Sequence, residues 1–323
     1  MSDEKAADIE RLEHFPISFF AMIMGLSGLT LAWRKGSEVM ELSSILGNVL
    51  AAFTLIVFVM LSVIYLMKIV KHPAAFRAEL NHPVKLPFFP ATSISLILLS
   101  VCFLPLAPNL AHALWLAGIV LHLGLLLYVL NCWVNHDHFQ IGHINPSWFI
   151  PAVGNVIVPI TGVSLGYIEI SWFYFSIGMN FWIILLVIVF NRILFHDPLP
   201  GKLLPTMFIL IAPPAVGFVA YVELVGELDT FARILYYVGL FFTLFLSTQI
   251  VRFARLPFAL SWWAYSFPLA AMTIATFVMY EKTGIVGFHW FSMVMLVVLT
   301  LVLSMLLAKT VKAIHNKRIC LPD

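Results

Sequence analysis

Between residues 15 and 307 the chain is one apolar run after another, with nearly every charge in the intervals between them. Ten runs reach the roughly 20 residues that a helix needs to cross a bilayer: 15–33, 45–67, 88–106, 110–133, 148–167, 172–190, 203–221, 231–250, 260–280 and 288–307. Hydrocarbon offers backbone groups no water to bond, so each run is expected to close its own hydrogen bonds as a helix. Only 11% of the residues are charged, against about 25% in soluble domains. The fold class expected is therefore all-α integral membrane. Tryptophan and tyrosine recur at run ends, at Trp33, Trp133, Trp148, Tyr167, Trp172 and Tyr280, where an interfacial aromatic belt belongs.

The rest of the chain is short and polar. Residues 1–14 read as an N-terminal arm, 15–307 as the membrane unit and 308–323 as a C-terminal tail. The arm is charged from its start, so no cleaved signal peptide is expected. Three scattered cysteines form no disulfide framework. Fourteen of the 18 Lys and Arg residues fall on the side that holds both ends, and only Arg34, Lys35, Arg233 and Lys282 fall opposite. By the positive-inside rule both termini are expected in the cytoplasm.

Prolines divide the runs into two kinds. Every odd run has them: Pro16; Pro90 and Pro105; Pro151 and Pro159; Pro205, Pro213 and Pro214; Pro268. No even run has any. Pro159, Pro214 and Pro268 are 55 and 54 residues apart, which suggests a helical hairpin used five times. Interrupted helices survive at membrane depth only inside protein or against a water-filled cavity. The odd runs are thus expected to form an inner ring and the even ones to face lipid. Gly25, Gly28, Gly154, Gly162 and Gly217 lie on odd runs, where small residues allow close helix approach or leave free volume.

The acidic residues lie on the arm or at run ends, so neither a carboxylate ring nor an intramembrane proton relay is expected. No Lys or Arg stands mid-run to grip an anion. A path lined by hydroxyls, backbone dipoles and aromatic edges would still pass one weakly, and weak binding suits conduction. His136, Asp137, His138 and His143 share one loop, but their spacing is loose for a metal site and a solvated loop is the simpler reading. His122 sits mid-run on an even helix, where a proton carrier is one reading, and reads more simply as a structural hydrogen-bonder across a subunit contact. Gly162 and Gly166 match small-xxx-small, a weak signal. No P-loop, HExxH or GxSxG motif is present, so no enzyme is expected. No cofactor, metal or nucleic-acid partner is expected either.

Three stretches carry a resemblance: "HFPISFFAMIMGLSGLTLAW" in the first run, "INPSWFIPAVGN" leading into the fifth, and "WWAYSFPLAA" in the ninth. They resemble the tellurite-resistance/dicarboxylate transporter family, to which plant guard-cell slow anion channels are related. The resemblance implies ten helices in five hairpins with quasi-fivefold symmetry, odd helices around a central pore, and a homotrimer passing inorganic anions. It also implies that Phe267 projects into the pore and plugs it, with Pro268 as the bend that aims it. Pro16, Gly25, Pro159, Gly162, Pro213 and Pro214 are the accompanying candidates for pore-lining or kink positions. From the residues alone, Phe267 is one of 28 phenylalanines and equally a packing residue. A gated channel for small monovalent anions and a secondary exporter of tellurite, sulfite or dicarboxylates both fit the family. The lack of a titratable residue inside the ring favours the channel.

Overall fold

The computed structural model describes residues 11–135 and 139–321, and these are helical with no strand among them. The α-helices are α1 (Phe20–Val39), α2 (Ile45–Lys71), α3 (Pro73–Leu80), α4 (Ala91–Phe103), α5 (Pro108–Asn135), α6 (Phe149–Gly162), α7 (Ile168–Phe195), α8 (Ala212–Val225), α9 (Thr230–Ser247), α10 (Ile250–Ala254), α11 (Ser266–Thr283) and α12 (Val286–His315). Nine helical segments among the described residues are long and apolar enough to span a membrane. The expected fifth run is the exception. It appears as a 3₁₀ turn at Pro146–Trp148 and the 14-residue α6, because the chain already leaves the helix after Gly162 and turns at Gly166, φ 83°.

Helices α1, α4, α6, α8 and α11 pack as a closed circuit, each on the next and α11 back on α1. Helices α2, α5, α7, α9 and α12 each pack on the inner helix that precedes them in the chain. All five inner helices, and none of these outer ones, are led in by 3₁₀ segments: Ile17–Phe19, Leu86–Phe88, Pro146–Trp148, Gly201–Leu210 and Leu260–Tyr265. Prolines explain the placement. A proline is tolerated where a helix starts, since the N–H it lacks has no intrahelical acceptor there. Pro90 caps α4, Pro213 and Pro214 stand in the first turn of α8, and Pro268 is the third residue of α11. Pro16 caps the first 3₁₀ segment. Of the candidate prolines, Pro159 alone lies beyond the first turn of an α-helix.

Close contact between helices rests on small residues. In lipid there is little hydrophobic drive to bring helices together, so packing and hydrogen bonds decide. A Cβ added at Gly25 would lie 2.2 Å from the Ser266 Oγ, and one at Gly162 2.3 Å from the Ser171 Oγ. Both glycines therefore face neighbouring helices. A Cβ at Gly154 would lie 2.0 Å from the His122 ring. That imidazole pairs its Nδ1 with the Ser93 hydroxyl at 2.8 Å and its Nε2 with the Pro151 carbonyl at 3.0 Å, tying α5 to α4 and α6. His122 is thus a hydrogen-bonder inside one chain.

On the side where the chain ends, Lys68 and Glu79 form a buried ion pair at 2.6 Å, 3% and 5% exposed. Lys68 also donates to the Phe15 carbonyl at 2.8 Å, and Glu79 accepts from the Ile17 N–H at 2.8 Å and the Tyr65 hydroxyl at 3.0 Å. The pair binds α2 and α3 to the chain entering α1. In the sequence both fall at or beyond the end of an apolar run, and α3 is too short to show a periodic pattern that would mark Glu79 as buried. Arg11 donates to the Lys317 carbonyl at 3.4 Å, so the first and last described segments meet on this side.

On the opposite side, Asp229 caps α9. Its carboxylate accepts from the Ala232 N–H at 2.8 Å and the Tyr221 hydroxyl at 2.7 Å, and these bonds hold its pKa below the usual range. Gly226 (φ 83°) and Gly284 (φ 67°) end α8 and α11 in the left-handed region, donating to the carbonyls of Val222 and Tyr280.

Candidate functional site: two cavities and one ring

The inner circuit encloses two cavities. The smaller, about 40 Å³, is lined by residues of the 3₁₀ lead-ins and first helical turns, among them Ser18, Phe88, Thr206, Ser261 and Pro268. The larger, about 380 Å³, is lined by the later turns of the inner helices. Phe267 is the one residue that lines both. Its side chain, 7% exposed, thus stands between the side of the termini and the opposite side.

Local sequence fixes that ring. The stretch "LSWWAY" forms the 3₁₀ lead-in, and two of its aromatics anchor it. Trp263 is fully buried and donates from Nε1 to the Thr310 hydroxyl of α12 at 3.0 Å. Tyr265 packs edge-on against Phe208 with centroids 4.7 Å apart. Ser266 donates back to the Trp263 carbonyl at 2.6 Å. Next, α1 approaches through Gly25, against Ser266, and Gly28, where an added Cβ would lie 2.6 Å from that of Ala270 and 3.6 Å from the Phe267 ring. At Gly28, α1 thus presents no side chain to the Phe267 ring. Pro268 has no N–H to give the Ala264 carbonyl, and both residues line the smaller cavity.

The wall of the larger cavity follows helical spacing. Gly28, Leu31, Lys35 and Glu38 recur three or four residues apart on α1; so do Phe267, Ala271, Ile274 and Val278 on α11. Val216, Val219 and Glu223 give the α8 stripe. Of the sequence candidates, Phe267 and Pro268 line a cavity; Pro16, Gly25, Pro159, Gly162, Pro213 and Pro214 are not among the lining residues. The hydroxyls on the walls are Ser18, Thr206, Ser261 and Ser164. Most other inner-helix hydroxyls turn to their own backbone, as Thr30, Ser95, Thr273 and Thr276 do.

Sequence reading missed the charged residues of the larger cavity. Helix α1 runs six residues past the expected end at Trp33, to Val39, and carries Arg34, Lys35 and Glu38 along the wall. Glu223 lies on α8, two residues past the expected end. The three-and-four spacing continuing beyond the apolar run was the available signal. Lys35 bridges Glu38 at 3.3 Å and Glu281 at 2.9 Å. Arg34 donates to the Cys102 carbonyl and, at 3.2 Å, to the Asn48 side chain. His136, Asp137 and His138 of the histidine-rich loop lie outside the described residues, and His143 accepts from the Gln140 N–H at 3.1 Å. No cluster of metal-ligating residues occurs among the described residues.

The profile of the SLAC1 voltage-dependent anion channel family matches residues 14–311, nearly the whole chain. The chain belongs to the SLAC1 family. The resemblance read from three short stretches therefore holds across all the inner and outer helices. Among SLAC1 relatives, the S-type anion channel SLAH3 of Arabidopsis thaliana is 29% identical over 272 residues, covering 82% of this chain and 43% of the plant protein. The chain thus spans less than half the length of that plant channel. The uncharacterized transporter MJ0762 of Methanocaldococcus jannaschii is 27% identical over 300 residues, covering 84% and 87%. A tellurite resistance protein TehA homolog of Haemophilus influenzae is 28% identical over 282 residues, covering 86% and 85%.

Proposed function

We propose that this SLAC1-family protein is a gated channel for small monovalent inorganic anions, closed at rest by the ring of Phe267. The observation that carries the reading is that Phe267 alone borders both cavities. An aromatic septum between the two cavities presents a hydrated ion with a constriction that is both narrow and apolar, and such constrictions gate by dewetting. No charged residue lines the smaller cavity, so along this stretch nothing grips a passing anion. The anion-channel names of the plant relatives agree with this reading.

The proposal includes the architecture. Ten crossings in five hairpins are supported by the closed inner circuit, by the five 3₁₀ lead-ins, and by the Arg11–Lys317 contact, which asks for an even number of crossings. Within it, α6 with its lead-in is the short tenth crossing. The distribution of Lys and Arg supports cytoplasmic termini, the bacterial TehA-homolog relative supports an inner membrane, and family likeness supports a homotrimer with lipid around it. The alternative, an exporter of tellurite, sulfite or dicarboxylates, takes its support from the TehA-homolog and transporter relatives. It needs an ionisable coupling group in the ring; none lines the smaller cavity, and Arg34, Lys35, Glu38 and Glu223 of the larger one stand in the later turns of α1 and α8, away from the Phe267 constriction.

The test is Phe267→Ala. Removing the ring should give constitutive anion current where the parent conducts little, and Phe267→Leu should give less because leucine still fills much of the space. Bilayer recording at matched protein amount reads the outcome. Unchanged current in a folded Phe267→Ala protein would place the barrier elsewhere.

A further inference from the structure

We propose that Glu223 sets valence selectivity on this path, its carboxylate raising the barrier for divalent anions more than for monovalent ones. The inference rests on the channel reading above. The wall of the larger cavity carries two cations and two carboxylates: Arg34, Lys35, Glu38 and Glu223. Three of the four are engaged. Lys35 holds Glu38 and also Glu281, so its single charge is already shared between two carboxylates. Arg34 donates to the Cys102 carbonyl and the Asn48 side chain and forms no ion pair with Glu223 among the described residues. Lys282, the other nearby cation, donates to the Gly226 carbonyl at 2.8 Å. Glu223 forms no ion pair among the described residues and is solvent-exposed. It stands about three turns along α8 from the Ala212 of the smaller cavity, in register with Val216 and Val219 of the lumen stripe. An anion crossing the larger cavity therefore passes a carboxylate that no ion pair engages, and removing its charge changes the field on the path whatever the neighbouring cations contribute.

Coulomb work is proportional to the charge of the passing ion. Neutralising one wall charge should therefore multiply monovalent permeation by some factor and divalent permeation by about the square of it. At about 8 Å through water the factors are about twofold and about fivefold. Screening should remove both as the Debye length falls from about 30 Å at 0.01 M to about 3 Å at 1 M salt. A packing effect has neither signature.

The experiment compares nitrate and sulfate permeation in the Phe267→Ala background, with Glu223→Gln and with Glu223→Asp as the charge-retaining control. The expected result is a sulfate-to-nitrate ratio that rises about twofold for Glu223→Gln in roughly 0.01 M salt, does not move for Glu223→Asp, and returns to the parent value near 1 M. Nitrate current with an unmoved ratio would overturn the role of Glu223 and leave the channel reading standing. A rise equal for both anions, or indifferent to salt, would overturn it too, because the effect would then be one of space. If Phe267→Ala passes neither anion, the channel reading falls and this inference falls with it.

Discussion

Four of the five outer helices are more apolar than any of the four long inner spans, yet the inner spans are the buried ones. Burial runs from 72% to 83% along the inner spans and from 28% to 39% along the outer helices. A soluble protein would show the reverse. The difference teaches what the solvent is. An outer helix facing hydrocarbon must be apolar around much of its surface, whereas an inner helix surrounded by protein can hold glycine, serine, threonine and proline. Hydroxyls and 3₁₀ lead-ins cost little there because their hydrogen bonds close internally. Polarity thus collects where burial is greatest, and that is where the cavities are.

Cysteine labelling is the strongest way to break this contrast. With the protein in membranes, cysteines replacing the half-buried Ile160 and Ile274 on the larger cavity should react to completion with a small water-soluble thiol reagent. Cysteines replacing the outward-facing Val120 of α5 and Val297 of α12 should stay unreacted, although both are exposed in the isolated chain. The reactive thiolate does not form in hydrocarbon. Equal labelling of the two pairs would mean that the inner circuit does not mark the water path.

The next largest effect concerns the tie between the two rings at Lys68 and Glu79. Glu79→Ala leaves a buried ammonium with only the Phe15 carbonyl and strips the Ile17 N–H of its acceptor. It should cost about 3–5 kcal/mol. Thermal unfolding in detergent checks this, with an unchanged midpoint as the contrary result.

Smaller still is the glycine contrast. Gly154→Ala on α6 forces a methyl into the His122 ring and should destabilise by about 1–3 kcal/mol. Gly124→Ala on α5 meets nothing within 4 Å and should stabilise by about 0.5–1 kcal/mol, as alanine does over glycine in a helix. The same unfolding assay separates the two, and the same sign for both would show that the inner contacts are looser than drawn.

The amino-acid sequence by itself determined the solvent, the helices and the two kinds of helix. Apolar length and the lack of charge leave a membrane as the only medium, and proline confined to odd runs divides inner from outer because a missing N–H is tolerated only where protein or water can answer it. Phe267 was legible through the "AYSFP" stretch, by resemblance and not by any property of a phenylalanine. Tertiary structure decided the rest. Pro268 became the third residue of α11 and not a mid-helix break, because Trp263 and Ser266 hold the preceding residues in 3₁₀ form. Gly25 and Gly162 became contact points and not lumen, since each meets a serine of a neighbouring helix. Lys68, Glu79, Arg34, Lys35 and Glu223 all read as loop charges in one dimension, where a charge at the end of an apolar run looks solvated. Which of them is buried, paired or left facing a cavity depends on helices far away in sequence, such as Glu281 beside Lys35 or Phe15 beside Lys68. Charge pairing is a property of distances in space, and no spacing along the chain contains it.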